Sequence, residues 1–143
     1  MNGQWSYNSN NTGVQASTCT ASGSYSTAMG DGTTASGDYS TSMGRSTAAS
    51  ALYSTAMGRS TAASALYSTA MGYGTDASGY FSTAMGSSTT ASALYSTAMG
   101  DGTIASGSRS TAMGSGSIAS DYASLSIGRY NSVNSTVTAG GSA

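Results

Sequence analysis

Histidine, proline, lysine and glutamate are all missing from these 143 residues, and only one cysteine is present. Each absence removes a class of function. Without histidine there is no Ser/His/Asp or Cys/His machinery and no site built on imidazole ligands. The single cysteine, Cys19, makes no disulfide framework, and cysteine usage leaves the compartment open. It falls in the column held elsewhere by Thr33, Thr47 and Thr61 and reads as a small coil residue, not a reactive thiol. Charged residues are 6% of the chain and the net charge is -1, so no nucleic acid partner is expected. No apolar run is long enough to span a bilayer, which argues against direct membrane insertion by this chain. Residues 1–19 lack the charged start and apolar stretch of a signal peptide, so any export address is expected to come from elsewhere.

Metal and cofactor chemistry is equally thin. The aspartates Asp31, Asp38, Asp76, Asp101 and Asp121 are spread over several columns and coils and form no ligand cluster. Gly30-Asp31-Gly32-Thr33-Thr34-Ala35 matches a loose dinucleotide fingerprint but lacks the strand-to-helix context the motif requires. No cofactor is expected, and the chain is expected not to be an enzyme. The missing proline carries a different message, because every backbone N–H stays available for a hydrogen-bonded ladder. A disordered linker, the competing reading of a chain so rich in Ser, Thr and Gly, is normally charged or proline-rich.

What is present is a repeat. Tyr25-Ser26-Thr27-Ala28-Met29-Gly30 recurs with a step of fourteen residues, and glycine returns at Gly44, Gly58, Gly72, Gly86, Gly100, Gly114 and Gly128. A coiled coil fails because the unit has no Leu or Ile seam and is filled with poor helix formers. Collagen fails because glycine is not in every third place. A β-solenoid remains, with one flat lap per unit and two short strands per lap. In the unit from Tyr53 to Leu66, the run Tyr53-Ser54-Thr55-Ala56-Met57 reads as the first strand, Arg59-Ser60 as a turn, Thr61-Ala62-Ala63-Ser64 as the return strand and Ala65-Leu66 as the second turn. At this period the chain has room for about ten laps, roughly 48 Å of solenoid at the usual strand spacing.

Side chains alternate between the faces of a strand, so Ser54 and Ala56 share one face and Tyr53, Thr55 and Met57 the other. A narrow lap holds only small side chains. The interior is therefore assigned to the Ser/Ala face of the first run, with Ser54 and the alanines Ala28, Ala56, Ala70, Ala84 and Ala98, and to Ala35, Ala49, Ala63, Ala77, Ala91 and Ala105 of the second. The outward face then carries Thr27, Met29, Thr41, Met43, Thr55, Met57, Thr69 and Met71, followed by Met85, Met99, Met113 and finally Ile127. An apolar stripe running the length of a solenoid implies burial against copies of itself.

The turns vary more. The first holds Asp31, Arg45, Arg59, Tyr73, Ser87 and Asp101 in one column; the second alternates between Gly37, Gly79, Gly107 and Ala51, Ala65, Ala93, followed by residues such as Leu52, Leu66, Tyr80 and Leu94. Glycine admits a positive φ that alanine does not, so the two versions are expected to differ in local geometry. Arg45, Leu52, Arg59, Leu66, Tyr73, Tyr80, Leu94 and Asp101 are the candidate ligand-facing positions. The aromatic column Tyr25, Tyr39, Tyr53, Tyr67, Phe81 and Tyr95, which Arg109 breaks, reads as a ladder stabiliser, as a row buried between chains, or as a ligand-contacting surface. Residues 1–15, with Trp5, read as an N-terminal cap, 16–130 as the repeat domain and 131–143 as an irregular tail.

The unit Ser-x-Ala-[Ile/Met]-Gly-x-x-[Ser/Thr]-x-Ala-Ser-Gly, carried by Ser26, Ala28, Met29, Gly30, Thr33 and Ala35 and by the same columns later, resembles the head repeat of YadA-like trimeric autotransporter adhesins, which also occurs in bacterial and viral fibre proteins. The resemblance implies a left-handed parallel β-roll, a homotrimer along its length, and display on a cell or virion surface for adhesion to host cells or matrix. It also implies that the Thr27 and Met29 columns stand where Val and Ile are usual. Ile127-Gly128-Arg129-Tyr130-Asn131 resembles the last coil of such heads. A distributed set of weak contacts along the turns is the expected mode of binding. Two other functions share the pattern: an ice-binding solenoid using the Thr27, Thr41, Thr55 and Thr69 ladder, and a structural module of a viral tail fibre.

Overall fold

A lap filled with Gly, Ser, Thr and Ala buries too little apolar surface to stand alone, so its stability comes from stacking on the next lap through backbone hydrogen bonds. The computed structural model describes Ser6–Tyr7, Val14–Gln15 and residues 18–133. Across them the chain is all β. Long strands such as Thr55–Arg59 alternate with two-residue strands such as Ala62–Ala63. Each kind stacks into its own sheet, and one circuit through both takes about fourteen residues: a β-solenoid. Successive long strands are parallel and in register, Thr55 beside Thr69, Met57 beside Met71 and Gly58 beside Gly72.

The long sheet holds eight five-residue strands, from Thr27–Asp31 to Leu125–Arg129, fewer than the ten or so laps that length allowed. At the N-terminal end Val14 pairs with Thr27, one residue short of the regular step, and Ser6–Tyr7 then pairs antiparallel with Val14–Gln15. The sheet therefore ends on a reversed strand and not on another coil. Trp5 and residues 134–143 lie outside the described residues.

The strand boundaries differ from those expected. The long strand runs Thr55–Arg59, not Tyr53 to Met57, and the return strand is Ala62–Ala63 alone. The cause is backbone conformation: Tyr53 has φ 57° and Ser60 φ 54°, left-handed values that no strand residue can hold. Tyr53 therefore turns the corner, its N–H donating to the Asp38 carbonyl of the preceding coil while Ser54 N–H returns to Ala51 O. Tyr53 does not share the outer face of Thr55 and Met57. Arg59 closes the strand, and Ser60 makes the turn.

Gly58 lies inside the long strand for two reasons. Its φ is 118°, and an added Cβ would stand 2.0 Å from the carbonyl oxygen of Gly72 in the next coil. The two versions of the second turn also prove distinct, but not through φ, since neither Gly37 nor Ala51 is among the positive-φ residues. At Gly37 the next coil comes so close that a Cβ would lie 2.0 Å from Ala51 O, and Gly37 N–H donates across to Ala49 O. At Ala51 the N–H turns back onto its own coil and donates to Ser54 Oγ at 3.2 Å.

Candidate functional site

The strand alternation places each residue of the long strand before it has any function. Ala28, Ala56, Ala70, Ala84 and Ala98 point inward and are 0% exposed, as are Ala35, Ala49, Ala63, Ala77, Ala91 and Ala105 of the short strands. Ala112 and Ala119 extend these columns. The serines Ser26, Ser40, Ser54 and Ser68 are buried beside them, as the Ser/Ala face requires, and a further interior column, the threonines Thr33, Thr47, Thr61 and Thr75, completes the packing. The sequence reading did not assign the threonine column to the interior, although alternation along the return strand sets Thr61 on the same face as Ala63. Several of these buried hydroxyls, including Thr61, Thr75 and Ser40, have no hydrogen-bond partner, whereas Thr47 bonds Ser42 at 2.6 Å.

On the opposite face Thr27, Met29, Thr41, Met43, Thr55, Met57, Thr69 and Met71 stand half-buried in the single chain, as do Met85, Met99 and Met113. The period carries the threonine column on to Thr83, Thr97 and Thr111. In the last coil Leu125 takes the threonine place and Ile127 the methionine place, 59% and 55% exposed. From Met43 to Met99 each methionine has another beside it one coil above and one below. The outer side of the row is open.

The turn residues form separate columns joined by the strands. Along the first turn Arg45 pairs with Asp31 at 3.5 Å, both side chains well exposed. The Arg59 guanidinium lies 5.5 Å from the ring centre of Tyr73, and Asp101 follows two coils later. Along the second turn Leu52, Tyr80 and Leu94 are exposed and Leu66 is half-buried. The candidate ligand-facing residues thus fall into two columns at opposite ends of the long strands and are not gathered into one site.

Next to the second column the aromatic residues stack from Tyr25 to Tyr95 with centroids 4.9 to 5.1 Å apart. The left-handed corner aims every ring along the same direction, so the coil spacing becomes a stacking distance. Arg109 ends the aromatic run yet continues the column, its guanidinium 6.0 Å from the Tyr95 ring and 5.3 Å from that of Tyr122. Among the described residues no three of His, Cys, Asp and Glu come together. No helix among them is long and apolar enough to cross a membrane.

A parallel solenoid with a small-residue interior, one uniform half-apolar outer face and solvent-facing turns defines a class of elongated repeat modules. Within that class, the model of the YadA head domain repeat matches residues 21–47, 49–75, 77–103 and 105–131. The chain belongs to this family. No curated protein matches it. Membership sets it among adhesin-like surface modules, a family not known for enzymatic activity.

Proposed function

We propose that the chain is a non-enzymatic head or fibre module, displayed outside the cell or on a virion, that self-associates as a homotrimer through the outer face of its long sheet. The observation that carries this reading is the uniform Thr/Met row, half-buried in one chain and ending in exposed Leu125 and Ile127. Burial of such a row against symmetry-related copies removes it from water along its whole length. Light scattering at micromolar concentration tests the assembly, and a monodisperse monomer would overturn it.

Host-cell or matrix ligands then meet the turns, which stay outside the trimer contact. Binding is distributed over Arg45, Leu52, Arg59, Leu66, Tyr73, Tyr80, Leu94 and Asp101, because the two columns offer repeated small surfaces. Removal of two whole coils weakens attachment gradually in a surface-binding assay. Complete loss of binding from one turn substitution, with folding intact, would require a discrete site instead. A structural role in a viral tail fibre draws on the same face. The in-register threonine ladder favours a further reading, ordering of water on ice, if the chain proves monomeric; thermal hysteresis measures it directly.

A further inference from the structure

The outer row differs from an ordinary aliphatic face in one chemical respect: from Met29 to Met113 every apolar rung is a thioether. The register sets Met29 beside Met43, Met43 beside Met57, and so on to Met99 beside Met113. All seven are half-buried in the single chain, so a small neutral oxidant reaches the sulfurs from the open side. None belongs to the interior, whose side chains are those of Ala, Ser and Thr, with Cys19 at the N-terminal end of the threonine column. Loss of their apolar character therefore touches the face and leaves the packing of the lap alone.

We propose that this ladder is a peroxide-modification site that decides whether chains assemble; the inference rests on the self-association reading above. In each event the sulfur lone pair attacks a peroxide oxygen, an S–O bond forms as the O–O bond breaks, and a proton shift completes the release of water. The thioether is oxidised by two electrons and hydrogen peroxide is reduced to water. The product sulfoxide is polar and a strong acceptor. A row of such acceptors pressed against a matching row has no donors of its own to satisfy it, apart from the neighbouring threonine hydroxyls, so burial becomes unfavourable. Leu125 and Ile127, which complete the face, have no sulfur and stay unchanged.

The full chain carrying C19T, which removes the one thiol that peroxide would also oxidise and puts threonine where Thr33 and Thr47 stand in the same column, is treated with hydrogen peroxide while unfolded in urea, refolded, and compared with chain unfolded and refolded without peroxide by light scattering, circular dichroism and peptide mass spectrometry. The expected result is one added oxygen on each ladder methionine, an unchanged β signal, loss of the oligomer peak, and its return after treatment with methionine sulfoxide reductase and a thiol reductant. The same chain carrying in addition M29L, M43L, M57L, M71L, M85L, M99L and M113L, nearly volume-conserving, assembles, and its assembly is insensitive to peroxide. An oxidised chain that keeps the untreated oligomer's mass overturns the inference and leaves the self-association reading standing. An untreated chain that is monomeric overturns both. Loss of the β signal on oxidation also overturns the inference, because the methionines would then belong to the packing of the coil itself.

Discussion

The long and short sheets are stacked by the same register, yet their outer faces are written differently. One repeats Thr and Met through seven coils; the other carries Thr34, Ala48, Ala62, Asp76, Thr90, Ile104 and Ile118 in a single column. Ladder geometry is common to both, so it does not by itself demand a uniform face. A carboxylate is accommodated at Asp76 on the short sheet, while no charge interrupts the Thr/Met row. The interior, by contrast, is nearly uniform on both sides because each lap presses directly on the next. Uniformity that points outward needs a second cause, and the proposed self-association through that face would supply one.

The sharpest way to break the comparison is to disturb the stacking both faces share. Gly58→Ala meets Gly72 O and a φ of 118°, and is expected to cost about 3 kcal/mol or more in urea unfolding. Gly102→Ser is the control: nothing lies within 4 Å of its Cβ position, and Ser46 and Ser60 already hold the same place. Its cost is expected near 1 kcal/mol.

The two outer faces are separated next. Met71→Asp is expected to abolish the oligomer in light scattering while the circular dichroism spectrum is retained, since an unpaired charge cannot be buried between chains. Ala62→Asp, directly beside Asp76 in its column, leaves the oligomer unchanged. Equal effects from both would remove the distinction between the faces.

Inside the lap, Thr61→Val deletes a buried hydroxyl with no partner and is expected to stabilise by about 1 kcal/mol. Thr47→Val strips Ser42 of its 2.6 Å partner and is expected to cost about 1 to 3 kcal/mol, with Ser42→Ala restoring most of the loss. Differential unfolding of the three variants measures this. The smallest effect belongs to the turns: Arg45→Ala breaks an exposed ion pair and is expected to shift stability by less than about 0.5 kcal/mol.

Period and alternation were sufficient to determine the solenoid, the two strands per lap, the alanine columns at Ala56 and Ala63 and the opposite direction of Met57, because in-register parallel stacking turns each repeat position into a column. The family was legible for the same reason, since the spacing of Ser26, Ala28, Gly30, Thr33 and Ala35 is itself the geometry of the lap. Only the tertiary structure decided where the strands begin. Tyr53 and Ser60 adopt left-handed φ values that β-prone composition does not reveal, and these move Tyr53 to the corner and leave the return strand only Ala62 and Ala63. The same holds for the two second turns. Whether Gly37 or Ala51 bonds to its neighbour or to its own serine depends on how closely successive backbones approach, a distance set by coil-on-coil packing and written in no single repeat.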